Sequence, residues 1–346
     1  MPKKDGNFTS MNVKAKYWKK VEGNIVLCNL CPHRCKIASG MKGACKTREN
    51  CEGGLYSLAY GNPCSVSIDP IEKKPLFHFF PKTKIFSLST AGCNFHCLNC
   101  QNWNISQITP NEADNYEMSP ECIVREAIRH KTGSMAFTYT EPTVFYEFLL
   151  DTARLARENE IKTVIVSNGY INSEPLTELC PWIDAANIDI KTFDDHIYRK
   201  LTGGSLQPVL DTLIALRKNG VWLEITNLII PGWSDNSATI NLMCKWLSEN
   251  GFADTPLHFS RFFPAYKLPE LNSTPEKTMI MAAEIAASHG IKYIYLGNMP
   301  QLSRENTNCS KCGKAIIERY GFRVRSHIGS NGDCPFCGNI IPGIWK

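Results

Sequence analysis

Three cysteines, Cys93, Cys97 and Cys100, fall within eight residues in the stretch "STAGCNFHCLNCQNW" of a 346-residue chain. Thiolates bind soft metal ions and iron–sulfur clusters, and a closed site of either kind usually takes four protein ligands. The Cys-x3-Cys-x2-Cys spacing supplies three. A 4Fe-4S cluster held this way keeps one iron open to a further ligand, which a closed site does not offer. The alternative is a closed site that borrows a distant cysteine.

The other cysteines help to choose. Of the 16 in the chain, six lie in the first 64 residues (Cys28, Cys31, Cys35, Cys45, Cys51, Cys64) and four near the end. Cys309-x2-Cys312 and Cys334-x2-Cys337 bracket 21 residues, and a glycine (Gly313, Gly338) follows each pair. Two such knuckles can close four thiolates around one tetrahedral ion, so the tail reads as a zinc ribbon, with iron as the competing metal. Such a closed site is expected to be structural. Arg319, Arg323, Arg325 and His327 between the knuckles read as a solvated β face. The set Cys28-x2-Cys31-x3-Cys35-x9-Cys45 fits either zinc or a second iron–sulfur cluster. His33, Cys51 and Cys64 are spare candidates there. Cys122, Cys180 and Cys244 sit in helical patterns and read as buried, inert thiols. Because both ends carry a local fourth cysteine and the central loop does not, the open position looks intrinsic to the loop.

These groups need a scaffold. From residue 84 to about 300, short β-rich runs alternate with helical periodicity: "KIFSLSTAG", "SMAFTYT", "KTVIVSN", "AANIDI", "VWLEITNLII", "PLHFSRFF" and "KYIYLGN" are the strands. Ser119 and Pro120 open a helix that is expected to run to Gly133. Alternating strands and helices imply an α/β fold with a parallel sheet and right-handed crossovers, either doubly wound or a full or partial (β/α) barrel. In each case chemistry belongs at the strands' C-terminal ends. Polar motifs gather there: the cysteine loop, then Thr140-Glu141-Pro142, Ser167-Asn168-Gly169, Asp189-Ile190-Lys191 and "PGWSD". Residues 1–83 form a separate cysteine-rich module, with a hairpin turning at Glu22-Gly23-Asn24. Residues 84–303 form the core, and 304–346 the ribbon.

Composition narrows the class. A balance of 38 Lys and Arg against 33 Asp and Glu leaves +5, too mild and too dispersed to mark a nucleic-acid binder. No apolar run reaches the length of a membrane span, and the basic N-terminus lacks the apolar segment of a secretory signal. A cytoplasmic, reducing setting is expected, in which cysteines serve as metal ligands before disulfides.

On these residues the chain resembles the radical S-adenosylmethionine (SAM) superfamily, whose signature is CxxxCxxC after the first strand of a βα series. The longer words "CNLCPHRCKIASGMKGAC", "DPIEKKPLFHF", "GCNFHCLNCQNWNISQ", "TYTEPTVFYEF" and "CPFCGNIIPGIW" resemble the AmmeMemoRadiSam-system radical enzymes, relatives of the pyruvate formate-lyase activating enzymes. The resemblance implies a partial (β/α)6-type TIM barrel with an extra strand. It implies a 4Fe-4S cluster on Cys93, Cys97 and Cys100 whose open iron chelates S-adenosylmethionine. An electron from the cluster then yields a 5′-deoxyadenosyl radical that abstracts hydrogen from substrate. Thr140, Glu141, Asn168, Asp189 and Lys191 are the implied cofactor contacts: Glu141 toward the ammonium, Lys191 toward the carboxylate. Ile229 and Ile230 match an apolar segment beside adenine, and Phe95 an aromatic that shelters the cluster or stacks near adenine. The family's Gly-Gly-Glu-Pro is Tyr139-Thr140-Glu141-Pro142 here, so the path of that loop differs in its glycines. The implied partners are a flavodoxin- or ferredoxin-type electron donor, a protein or peptide substrate, and a Memo-like or AMMECR-like companion. Modification of a small molecule or RNA is the alternative within the class. A non-catalytic zinc-ribbon protein that binds nucleic acid is the alternative outside it.

Overall fold

The computed structural model describes residues 13–299 and 304–345. The first twelve residues, on which part of the N-terminal reading falls, and the end of the predicted core segment lie outside the described residues. The chain divides into two compact units. One takes in the described residues of Met1–Asp69, Lys84–Ala186 and Pro208–Val221, and the other those of Pro70–Thr83, Asn187–Gln207 and Trp222–Lys346.

In the first unit, strand Ser134–Phe137 pairs in parallel with both Lys84–Thr90 and Lys162–Ser167, with Phe137 opposite Leu88 and Ile165. Both Ser134–Phe137 and, after its first residue, Lys84–Thr90 are buried throughout. That is why their sequences read as continuous apolar runs rather than alternating ones: a parallel sheet is covered on both faces. Helices Pro120–Arg129 and Tyr146–Glu158 pack on one another. The first starts as expected, with the Ser119 hydroxyl accepting from the Cys122 N–H at 3.3 Å. It ends at Arg129, four residues before Gly133, because His130 caps it and Lys131 turns the chain at φ +53°. Cys180 and Cys244 are buried as expected. Cys122 is only half-buried, because its position lies on the edge of the helix's apolar face.

The N-terminal hairpin forms as read, with Trp18–Glu22 antiparallel to Ile25–Cys28 and Gly23 at φ +51° in the turn. Strand Lys36–Ile37 joins it as a third, and Val13–Lys14, Gly54–Ser57 and Arg48–Cys51 make another small sheet.

In the second unit, Leu257–Arg261 pairs in parallel with Trp222–Ile229 and Ile294–Gly297, placing Thr226, His258 and Tyr295 in one row. Helices Ser237–Glu249 and Glu276–Ser288 pack together. A helix at Asp195–Thr202, capped by the Asp194 carboxylate on the Ile197 N–H and ended by Gly203 at φ +80°, was not expected from the sequence. The tail strands Thr307–Asn308, Ala315–Tyr320 and Arg323–Ser326 form their own antiparallel sheet. Ile316, Ile317 and Ile341 pack there with Phe77, Tyr293 and Tyr295. The chain is thus an α/β protein built on mostly parallel strands, with small antiparallel sheets toward both ends.

Candidate functional site

Strand Lys84–Thr90 runs straight into the cysteine loop. Gly92 takes φ +95°, and a Cβ there would lie 2.3 Å from Thr47 Cγ2 and 2.7 Å from the Cys45 carbonyl oxygen, so only glycine fits without movement. The loop is then tied in by side chains. Asn94 donates from Nδ2 to the Tyr170 carbonyl at 2.9 Å and accepts at Oδ1 from Asn168 Nδ2 at 2.8 Å. Asn168 also accepts at Oδ1 from the Tyr170 N–H and holds Nδ2 4.0 Å from Cys93 Sγ. Phe95 is buried against the Tyr170 ring, with centroids 4.9 Å apart. The Phe95 N–H donates to Cys93 Sγ at 3.3 Å, and the Ser106 hydroxyl lies 3.2 Å from Cys100 Sγ. Burial and the nearby Glu141 carboxylate push the Cys93 thiol well above its ordinary value.

The Thr140-Glu141-Pro142 loop follows strand Ser134–Phe137. Tyr139 adopts φ +64°, the left-handed conformation that glycine takes most easily, and so preserves a glycine-like turn without glycine. Its carbonyl accepts from Asn102 Nδ2 at 2.7 Å, and its hydroxyl donates to Asp69. The Thr140 hydroxyl donates to the Thr90 carbonyl at 2.8 Å. Glu141 is buried and engaged. Its Oε1 accepts from the Thr143 N–H and hydroxyl and the Ser167 hydroxyl, and Oε2 accepts from the Asn168 N–H at 2.8 Å. Burial raises its pKa despite those donors. The carboxylate thereby caps the turn Pro142–Phe145 and joins two strand-end loops. Cys93, Cys97, Cys100, Thr140, Glu141 and Asn168 all belong to the first unit.

Asp189 and Lys191 belong to the second unit, where Lys191 Nζ lies 2.7 Å from Asp189 Oδ2. Ile229 and Ile230 are buried there, ahead of a turn closed by the Ser234 hydroxyl on the Leu228 carbonyl. His258 is buried with Nε2 2.6 Å from Glu224 Oε2, whereas Arg261, on the other face, reaches the Thr274 carbonyl. Glu224 also accepts from the Phe77 and His78 N–H groups. Sequence reasoning missed this carboxylate; a lone acid in the apolar run "VWLEITNLII" was its only signal. The His258 row lines a cavity of about 330 Å³.

In the tail, the ligand atoms of Cys309, Cys312, Cys334 and Cys337 all lie within 4.8 Å of one another, with Cys309–Cys337 at 3.6 Å and Cys312–Cys334 at 3.8 Å. Gly313 and Gly338 turn the knuckles at φ +72° and +71°. Burial opposes ionisation of Cys309, but the N–H groups of Cys312 and Lys311 outweigh it and bring the thiol down to about 6. Arg323, Arg325 and His327 are exposed, but Arg319 is not on a solvated face. It is 2 % exposed, sits 4.1 Å above the Phe77 ring and donates to the Phe77 carbonyl at 2.8 Å. Strand alternation turns it inward, where the planar guanidinium finds three acceptors and an aromatic face. Of the six N-terminal cysteines, Cys28, Cys31, Cys35 and Cys45 line one small cavity. Cys51 is exposed on a strand end, and Cys64 lies near the Ser89 hydroxyl.

Among the described residues no helix is long and apolar enough to cross a membrane. The Radical SAM superfamily model matches residues 87–243, the segment that carries the cysteine loop and both loops tied to it. An uncharacterised protein of Methanocaldococcus jannaschii is 48% identical over 330 residues, which is 95% of this chain and 98% of that one. The pyruvate formate-lyase-activating enzyme of Clostridium pasteurianum is 31% identical over 165 residues, 44% of this chain and 65% of that protein. The pyruvate formate-lyase 1-activating enzyme of Escherichia coli K12 is 23% identical over 222 residues, 59% of this chain and 89% of its own length. Among solved structures, Streptococcus suis SuiB bound to S-adenosylmethionine shares the fold at a TM-score of 0.50 and 14% identity, covering 76% of this chain and 61% of that one. The chain belongs to the radical SAM superfamily and is a radical SAM enzyme related to the pyruvate formate-lyase activating enzymes.

Proposed function

We propose that the enzyme is activase-like: a 4Fe-4S cluster on Cys93, Cys97 and Cys100 works with S-adenosylmethionine to abstract hydrogen from a protein or peptide. The observation that carries this reading is the loop at the end of strand Lys84–Thr90, with three cysteines and no local fourth. The residues fit such a group. No three ligand atoms there lie within the 4.8 Å that the tail's compact knot keeps, and an N–H and a hydroxyl approach the sulfurs. When bound, the cluster and S-adenosylmethionine supply a hydrogen-abstracting radical by one-electron cleavage of the sulfonium.

The chain's own residues prepare the place. Asn94 and Asn168 hold the loop, while Phe95 and Tyr170 keep water from its inner side. Glu141 Oε2 accepts from the Asn168 N–H and keeps a lone pair for an ammonium. Thr140, Asn168, Asp189 and Lys191 complete the proposed contacts, with Lys191 as the point charge for a carboxylate. A flavodoxin- or ferredoxin-type donor, a protein substrate and a Memo-like or AMMECR-like companion belong to the same reading, as does placement among the AmmeMemoRadiSam enzymes. So do a partial (β/α)6 barrel with an extra strand, the modules 1–83, 84–303 and 304–346, a cytoplasmic setting and structural zinc in the tail. The tail's sulfur spacing supports zinc, because a tetrahedron with bonds of about 2.3 Å has edges of about 3.8 Å.

The test is anaerobic reconstitution, then dithionite and S-adenosylmethionine, with 5′-deoxyadenosine as the readout. Turnover by the parent chain and none by Cys93→Ala, Cys97→Ala or Cys100→Ala is expected. A reconstituted parent that yields no product, with no change in its EPR signal on adding S-adenosylmethionine, sinks the reading.

A further inference from the structure

The N-terminal module carries chemistry that the proposed reaction does not use. The hairpin delivers Cys28, whose N–H donates to the Cys35 carbonyl at 3.0 Å, and a turn closed by Arg34 N–H on the Cys31 carbonyl brings Cys31 around. A second turn, Gly43 to Lys46, presents Cys45. The four cysteines line a cavity of about 20 Å³. A well-packed apolar interior rarely leaves a void larger than a water.

Two observations identify the occupant. The tail shows what a single-ion site looks like in this chain, with sulfurs 3.6 and 3.8 Å apart. Among the described residues, no three of the N-terminal four share that compactness, since only the tail set has ligand atoms all within 4.8 Å. A cubane core of iron and sulfide holds its thiolates farther apart than one ion does. Second, Arg48 is 1 % exposed and borders the same cavity, with Nη1 3.7 Å from Cys28 Sγ and Nε without an acceptor. A buried orphan donor beside thiolates calls for a further acceptor, which a cluster sulfide provides.

We propose that Cys28, Cys31, Cys35 and Cys45 hold a second, fully ligated 4Fe-4S cluster, and that it passes electrons to the Cys93 loop. Four cysteines leave no iron open to a substrate, so the cluster's chemistry is electron transfer. Its position suits that role. His33, between Cys31 and Cys35, bonds through Nε2 to the Asn94 carbonyl at 2.7 Å, one residue from Cys93. On the other side the Cys45 carbonyl abuts Gly92, again one residue from Cys93. One electron enters from an external reductant of the flavodoxin or ferredoxin class, reduces this cluster and moves on. No bond forms or breaks and no proton moves. The relay step, though not the occupancy, rests on the proposed reaction at the Cys93 loop.

The full chain tests both parts. The triple variant Cys93→Ala/Cys97→Ala/Cys100→Ala, reconstituted anaerobically with iron and sulfide, is expected to keep about four irons and four sulfides per chain. A triple variant with no iron and two zinc ions overturns the cluster, whatever the parent does with S-adenosylmethionine. In the parent, the two reduced clusters are expected to broaden each other's EPR signals, so its spectrum differs from the sum of the separate clusters' spectra. A simple sum overturns the neighbour relation. Freeze-quench mixing of parent with reduced flavodoxin is expected to show the N-terminal signal before the Cys93-loop signal; the reverse order overturns the relay.

Discussion

Gly92→Ala is the sharpest test of how the cysteine loop is held. The new Cβ meets Thr47 Cγ2 at 2.3 Å and the Cys45 carbonyl at 2.7 Å, in a backbone at φ +95°. The conformation alone costs roughly 1–3 kcal/mol for a residue with a Cβ. Forcing a methyl against packed neighbours adds roughly 1–3 kcal/mol, because Thr47 is buried and a carbonyl cannot rotate away. A loss of roughly 2–6 kcal/mol is therefore expected, or a displaced loop that no longer binds iron. Anaerobic urea unfolding of the metal-free chain measures the first outcome, and iron per chain after reconstitution the second. The partner change Thr47→Ser removes Cγ2 while keeping the hydroxyl that donates to the Val144 carbonyl at 2.8 Å. The double variant should recover part of the loss, leaving the Cys45 overlap. Gly133→Ala, with nothing within 4 Å of its Cβ, is the control. Parent-like stability and parent-like iron content in Gly92→Ala would refute the close approach.

Three further outcomes follow from buried polar groups. Glu141→Gln places an amide N–H against one of the donors that now meet the carboxylate, so a loss on the order of 2–4 kcal/mol and weaker S-adenosylmethionine binding are expected, read by thermal unfolding and calorimetry. His78 donates from Nδ1 to the Pro342 carbonyl and accepts at Nε2 from the Tyr295 hydroxyl, and burial lowers its pKa from 6.5 to about 4. The unfolded chain binds the proton more tightly, so this contribution is full above about pH 6.5 and is lost as pH falls toward 4. The slope approaches 1.4 kcal/mol per pH unit, about 3 kcal/mol in all. His78→Gln should flatten that slope in acid unfolding, and an unchanged slope would contradict the assignment. Arg319→Met should leave the Phe77 and Glu305 carbonyls without their donor and lower thermal stability by roughly 3 kcal/mol, with zinc retained. Loss of tail metal in this variant would show that Arg319 supports the knuckles instead.

Much of the site was legible because cysteine spacing is local. Cys93, Cys97 and Cys100 sit on one loop, and the tail knuckles carry their own glycine turns, so neither needed a fold to be seen. The strands were legible for the same reason: continuous apolar runs mark a sheet buried on both faces. What failed depended on partners far along the chain. Arg319 read as solvated because its acceptor, the Phe77 carbonyl, lies 242 residues away. Glu224 reads as an incidental acid because the Phe77 and His78 N–H groups that converge on it come from a segment far along the chain.

The sequence by itself therefore determined the donor types, the three-plus-none arrangement of the central loop and the α/β order that carries it. Only the tertiary structure decided how those donors are used. It sets the spread of the N-terminal sulfurs against the tight knot of the tail, engages Glu141 with four donors, and presses Gly92 against Cys45. Ligand identity is written residue by residue, whereas sulfur spacing, burial and hydrogen-bond saturation are set by segments that meet only when the chain folds.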